Sequence, residues 1–157
     1  MLLLLFEIDN GRYALNINQI IKIVPLVKLK KISTTPDYVT GLMNYRGDGI
    51  PVIDLCQLID NVPFEDAFST RIIVISYPIK NEGNKPLGLI ANNVTETVRT
   101  KLSKPPPTGV LLDKTLYDGE VTPETDDMIQ WFDIKKMLPE KEITLLFEEK
   151  EEMQSLF

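Results

Sequence analysis

The sequence predicts a mostly β fold of two small, intertwined barrel-like lobes carrying short capped helices. Three observations lead there. Short apolar runs rich in Ile, Val, Leu and Tyr alternate with turn residues along most of the chain. One segment, Gly41 to Ile59, has the pattern of a hairpin followed by a capped helix. A weak internal repeat places the same features in both halves. Short runs of this composition, bounded by Gly, Pro, Asn and Asp, are the signature of strands rather than helices.

Leu2 to Ile8 reads as the first strand. Its apolar start, Met1 to Phe6, is too short to span a bilayer, lacks the basic start of a secretory signal and runs at once into Glu7 and Asp9. Asn10-Gly11 is a hairpin turn, after which Tyr13 to Ile17 returns. Gln19 to Val24 is a further short run ended by Pro25. In Leu26 to Ile32, Lys28, Lys30 and Lys31 alternate with Val27, Leu29 and Ile32, which predicts an exposed edge strand guarded by charge. Ser33 to Val39 is a turn or a single helical turn.

Gly41 to Ile59 is the most informative stretch. Leu42 to Tyr45 enters a turn at Arg46, Gly47, Asp48 and Gly49, and Ile50 to Ile53, with Pro51, leaves it. Asp54 then stands as the N-cap of a helix, and Gln57 completes a capping-box spacing. The segment is nearly all architecture. Its exposed arginine, Arg46, admits two readings: a strand-end cation paired with a nearby carboxylate, or a guanidinium at the mouth of a groove, free to clamp a partner.

Beyond a loop, Asp60 to Thr70, the strands Ile72 to Tyr77 and Leu87 to Val98 flank a polar hairpin loop. Pro105 to Pro107 is a stiff loop. Val110 to Leu116 is a strand, Tyr117 to Glu120 a turn and Pro123 to Asp127 an acidic loop. Ile129 to Phe132 is the last strand, and Asp133 caps a short helix, Ile134 to Leu138. The repeat sets Tyr13–Val24 on Leu87–Val98 at an offset of 74 residues, and Ile50–Ile59 on Ile129–Leu138 at 79. It predicts one domain over residues 1–139, with approximate lobes 1–68 and 69–139 between which strands can cross. A charged tail, 140–157, has the pattern of one amphipathic helix.

The 157 residues carry a net charge of −6, which argues against a nucleic-acid binder and favours protein partners. The chain has no histidine, which removes phosphohistidine transfer, histidine-based nucleophilic catalysis and the commonest metal ligand. No phosphate-binding glycine loop occurs, and the acidic pairs read as solvated surface. Cys56, the single cysteine, reads as a buried inert thiol in a reducing cytoplasm. No catalytic residue, metal or cofactor is expected.

The run Asn44-Tyr45-Arg46-Gly47, then Ile50-Pro51-Val52-Ile53-Asp54-Leu55, resembles the central motif of the CheW family of chemosensory coupling proteins. The match reaches Phe6, Tyr13-Ala14-Leu15, Pro36 to Gly41 and Leu87-Gly88-Leu89, and covers about Leu2 to Leu138. The resemblance implies two SH3-like β-barrels and an adaptor that links the cytoplasmic tip of chemoreceptors to the regulatory domain of a histidine kinase. It implies a cytoplasmic protein recruited to receptor clusters without inserting in the membrane. Arg46 matches the family's groove arginine and Ile20 a groove aliphatic residue, whereas Lys22 falls where many members have an acid. Gly41, Gly47, Gly49, Pro51, Asp54 and Asp133 are expected to build turns and caps. Several details, Ser69-Thr70-Arg71 and Gln130-Trp131 among them, resemble Wsp-type surface-sensing couplers. A kinase-binding antagonist that ignores receptor is the alternative; a small-barrel nucleic-acid binder is the alternative from another class.

Overall fold

The computed structural model describes residues 1–32, 35–100, 109–112 and 128–155, with Leu102, Lys104, Pro105 and Pro107. Its strands are β1 (Leu2–Ile8), β2 (Gly11–Asn16), β3 (Ile20–Pro25), β4 (Val39–Tyr45), β5 (Asp48–Asp54), β6 (Arg71–Ile79), β7 (Gly83–Arg99), β8 (Val110–Leu112) and β9 (Met128–Trp131). The helices are α1 (Leu55–Asp60), α2 (Ile134–Met137) and α3 (Glu140–Ser155), and a 3-10 turn, Ile17–Gln19, joins β2 to β3. The remainder of the expected Val110–Leu116 strand, the Tyr117–Glu120 turn and the Pro123–Asp127 loop lie outside the described residues.

Two five-strand arcs share β7. Gly83 to Ala91 pairs with β6 in the order β3-β6-β7-β5-β4, and Asn92 to Arg99 pairs with β1 in the order β7-β1-β2-β9-β8. The arcs are copies of one another in register. Val52 and Gly88 are parallel partners between β5 and β7; the repeat offsets carry them to Trp131 and Ala14, which are parallel partners between β9 and β2. Val24 pairs with Ile72 and Ile23 with Ile73, while Val98 pairs with Leu3 and Thr97 with Leu4. The chain leaves one arc through the β2–β3 connection and crosses back along β7, so each arc draws on both halves of the sequence.

This arrangement buries both faces of β1 and β6, which is why their sequences are almost continuously apolar rather than alternating. Leu4, Phe6 and Ile8 of β1 and Ile73, Ile75 and Tyr77 of β6 face a central core between the arcs. Leu3 and Leu5 face the interior of one arc with Ala14, Val98 and Ile129; Ile72 and Val74 face that of the other with Met43, Ile50 and Val52. Among the described residues each arc's ladder is open between its end strands; in the β3–β4 arc a single bridge, Lys30 to Leu42, spans the opening.

Three local expectations are corrected. Leu26 to Ile32 is not a strand. Pro25 ends β3, and Leu26 and Leu29, three apart rather than two, turn inward onto the Met43–Val52 cluster. The first hairpin turns at Asp9 and Asn10 rather than Asn10-Gly11: Ile8 pairs with Gly11, and Asp9 takes the positive φ of 52°. Gln57 does not close a capping box, because its amide donates forward to Asn61 Oδ1 at 3.0 Å.

The C-terminal tail is a structural helix. Ile143, Leu146 and Phe147, spaced for one helical face, are all within the central core. Lys150 lies over the Phe147 ring and pairs with Asp48 at 3.2 Å, and Lys85 reaches both Phe147 and Glu151. We expect Phe147→Ala to lower the unfolding free energy by about 3–5 kcal/mol in a denaturant titration, against about 0.5 kcal/mol for a residue on a merely solvated tail.

Candidate functional site

The β4–β5 hairpin turns at two residues, Arg46 and Gly47, both at positive φ (53° and 85°), between the last paired residues Tyr45 and Asp48. This matches the primed hairpin turn whose twist suits a two-residue connection, for which Asn-Gly is the relaxed sequence. Asn44 Oδ1 accepts from the Gly47 N–H at 3.0 Å. Arg46 is exposed, forms no ion pair among the described residues, and holds its guanidinium carbon 5.4 Å from the Tyr45 ring centroid. Of the two sequence readings, pairing with a carboxylate is therefore not the one seen.

The rest of the hairpin is scaffold. A Cβ on Gly41 would lie 2.4 Å from the Lys30 carbonyl oxygen, so only glycine allows β4 to meet that segment. Leu42 directs its N–H and C=O to Lys30, at 2.7 and 2.9 Å, and hence away from its β5 partner Pro51. Pro51 thus occupies a pair that needs no N–H from it, which is how a buried strand tolerates proline. Gly49 sits within β5 opposite Asn44, outside the turn proper.

Asp54 caps α1, accepting from the N–H groups of Cys56 (3.0 Å) and Gln57 (3.3 Å), and its other oxygen accepts from Phe64 (2.9 Å). Burial pushes this carboxyl above the usual 3.8, against the three backbone donors that pull it down. Asp133 caps α2 in the same way through the Lys135 N–H at 3.1 Å. Cys56 is buried at the start of α1, and its thiol is pushed up first by burial, against a backbone hydrogen bond with Asp9, and then by the charges of Asp54, Asp60 and Asp9, which disfavours a thiolate nucleophile.

Ile20 opens β3, half-buried against the central core and paired with Ile75; Lys22, exposed, pairs with Val74 across a register shift. Both belong to the arc that carries Arg46, at the opposite end of its strand order. A polar cavity of about 370 Å³ lies where β7 passes between arcs, lined by Glu7, Asp9, Glu65, Cys56, Asn92 and Asn93. Among the described residues no cluster suits a metal ion, and no helix is long and apolar enough to cross a membrane.

The CheW-like domain model matches residues 2–142. The chain belongs to the CheW-like family. It is 24% identical over 145 residues to the chemotaxis protein CheW of Klebsiella aerogenes, covering 91% of this chain and 84% of that one. A Bacillus subtilis chemotaxis protein CheW is 31% identical over 75 residues, 48% of each chain. The crystal structure of the scaffolding protein CheW of Thermoanaerobacter tengcongensis superposes with a TM-score of 0.65 at 25% identity, covering 87% of this chain and 86% of that one. The duplicated arcs are thus the two lobes of the CheW scaffold, and the protein is a chemosensory adaptor that couples chemoreceptors to a histidine kinase.

Two features beside the Arg46 turn were not read from sequence. Tyr45, the ring beneath Arg46, looked like one more strand residue. Lys150, the lone lysine in a glutamate-rich run, braces Asp48 beside the turn; that isolation was its only signal.

Asp54 generates a pH prediction. Its raised folded pKa means stabilisation fully present below the unfolded value of 3.8 and lost as pH rises through the folded value. Asp54→Asn keeps the acceptor without the charge, so in urea titrations the parent should lose stability relative to this variant between a pH below 3.8 and one above the folded value. Asp54→Ala, which loses all three bonds, should cost about 2–4 kcal/mol at either pH.

Proposed function

We propose that a chemoreceptor's cytoplasmic tip engages this adaptor at a groove carrying Arg46, Ile20 and Lys22, and that the kinase's CheW-like regulatory domain pairs with a barrel end. On this reading the protein catalyses nothing and works in the cytoplasm, gathered at receptor clusters. The absence of histidine from the sequence and the raised Cys56 thiol favour a non-catalytic role. The output pathway of Wsp-type couplers remains part of the proposal, although residues 113–127 of the segment that suggests it lie outside the described residues.

The observation that carries the groove assignment is the conformation of Arg46. A left-handed arginine costs about 1–2 kcal/mol relative to glycine in that backbone, and nothing in the fold requires its side chain. Held over Tyr45 and exposed, it is a planar cation kept at a strained turn, the kind of outlier that accompanies binding sites.

Two substitutions separate binding from folding. Arg46→Gly relaxes the turn and should leave stability within about 1 kcal/mol of the parent, since the entropy glycine adds to the unfolded chain offsets part of the relief. Arg46→Glu reverses the charge. Both should abolish capture of a soluble receptor fragment while the kinase regulatory domain still co-purifies. Undiminished receptor capture would place the receptor elsewhere, and a parent protein that binds kinase but never receptor would establish the antagonist reading instead.

A further inference from the structure

The β3 edge is the least explained surface of the molecule. Among the described residues β3 pairs on one side only, with β6, and no backbone bond is recorded from Ile21 to Val27 outside that ladder. Ile21, Ile23 and Val27 are 47, 38 and 44% exposed, three of the eight large apolar residues that are exposed among those described. Lys22 and Lys28 are exposed beside them. The segment Ile20 to Ile32 holds four lysines and no acid, in a chain whose net charge is −6.

The duplication supplies an internal control. Lys22 pairs with Val74 as Glu96 pairs with Leu5, so Ile21-Lys22-Ile23 and Thr95-Glu96-Thr97 occupy equivalent ladder positions in the two arcs. The second copy carries threonines and an acid. The first carries isoleucines and the opposite charge. The shared ladder register therefore requires neither the isoleucines nor the lysine. Lysines alone would guard an edge against pairing, but three exposed aliphatic side chains beside them defeat that purpose.

We infer that the β3 edge receives an extended, acidic and aliphatic segment of a protein partner, added as a further strand. Its backbone would pair with the open edge of β3, its aliphatic side chains would cover Ile21 and Ile23, and its carboxylates would meet Lys22 and Lys28. Pairing of two copies through β3 is disfavoured because it sets like charges against each other. The inference goes beyond the receptor-groove reading. It shares Lys22 with that groove but needs neither receptor nor kinase, so the fate of Arg46 variants does not decide it.

The test uses the full chain, labelled with 15N, and two synthetic ten-residue peptides, one alternating glutamate and valine and one alternating lysine and valine. The acidic peptide should shift the amides of Ile21 to Val24, slow their hydrogen exchange, and bind more weakly as salt is raised. The basic peptide should do none of these. In a Lys22→Glu, Lys28→Glu double variant the acidic peptide should bind at least about tenfold more weakly and the basic peptide should gain affinity, a gain that also reports a folded protein. Equal binding of both peptides, shifts confined to other surfaces, or sedimentation showing β3 already covered in a self-associated protein would each overturn the inference.

Discussion

One seventeen-residue strand, β7, pairs into two different arcs, and most of what is distinctive about this chain depends on that continuity. A strand that serves two arcs cannot be withdrawn from one without opening the other. The β2–β3 connection crosses in the opposite sense, so the arcs exchange strands rather than merely touch. Their shared faces, carried by β1 and β6, have no solvent side at all. Burial of Leu4, Phe6 and Ile8 against Ile73, Ile75 and Tyr77 is therefore one core formed from two copies, consistent with arcs too small to bury enough surface alone.

The same constraint explains what could be read from the sequence and what could not. The repeat was legible because equivalent ladders require equivalent apolar registers: Gly88 and Ala14 are both small, as close strand packing demands at those places. Asp54 and Asp133 were legible because a cap is a local device whose partners lie two or three residues away. The fate of Leu26 to Ile32 was not legible. Its lysines and aliphatic residues fit a period of two, and only the Met43–Val52 cluster, contributed by strands still to come, decides that Leu26 and Leu29 point inward. The tail was legible as an amphipathic helix, but what its apolar face covers was not: three apolar residues on one face outweigh the glutamates around them once the central core presents a surface to cover. As for the site, the motif located Arg46 but not its platform, since an aromatic beside a turn looks the same whether or not a cation lies over it.

Helix α3 extends beyond the segment shared with the family, which ends at residue 142, yet it is bound into the fold from several sides. Tyr38 meets Glu142, Lys80 donates its N–H to Glu140, and Lys150 meets Asp48. Lys150 is nearly buried, so its charge is tolerable only because a carboxylate and an aromatic face compensate it. Through Asp48 the helix reaches within two residues of Arg46. The hairpin is thus anchored at both ends, by Gly41 against Lys30 and by Asp48 against α3. A turn held so firmly can keep a left-handed arginine that a looser one would relax.

Duplication also offers a way to separate folding from function within a single chain. Where two copies share a ladder register, any residue the fold requires should be chemically alike in both. Leu15 and Leu89, Ile20 and Val94, Val24 and Val98 obey that rule, and each lies in a core or packs against one. Ile21-Lys22-Ile23 against Thr95-Glu96-Thr97 breaks it in both polarity and charge. That divergence has no cost in the ladder, since the two edges keep the same partners on their inner sides. The ladder therefore does not require the exposed isoleucines and lysine of β3, which fits an edge shaped by what it meets outside the molecule.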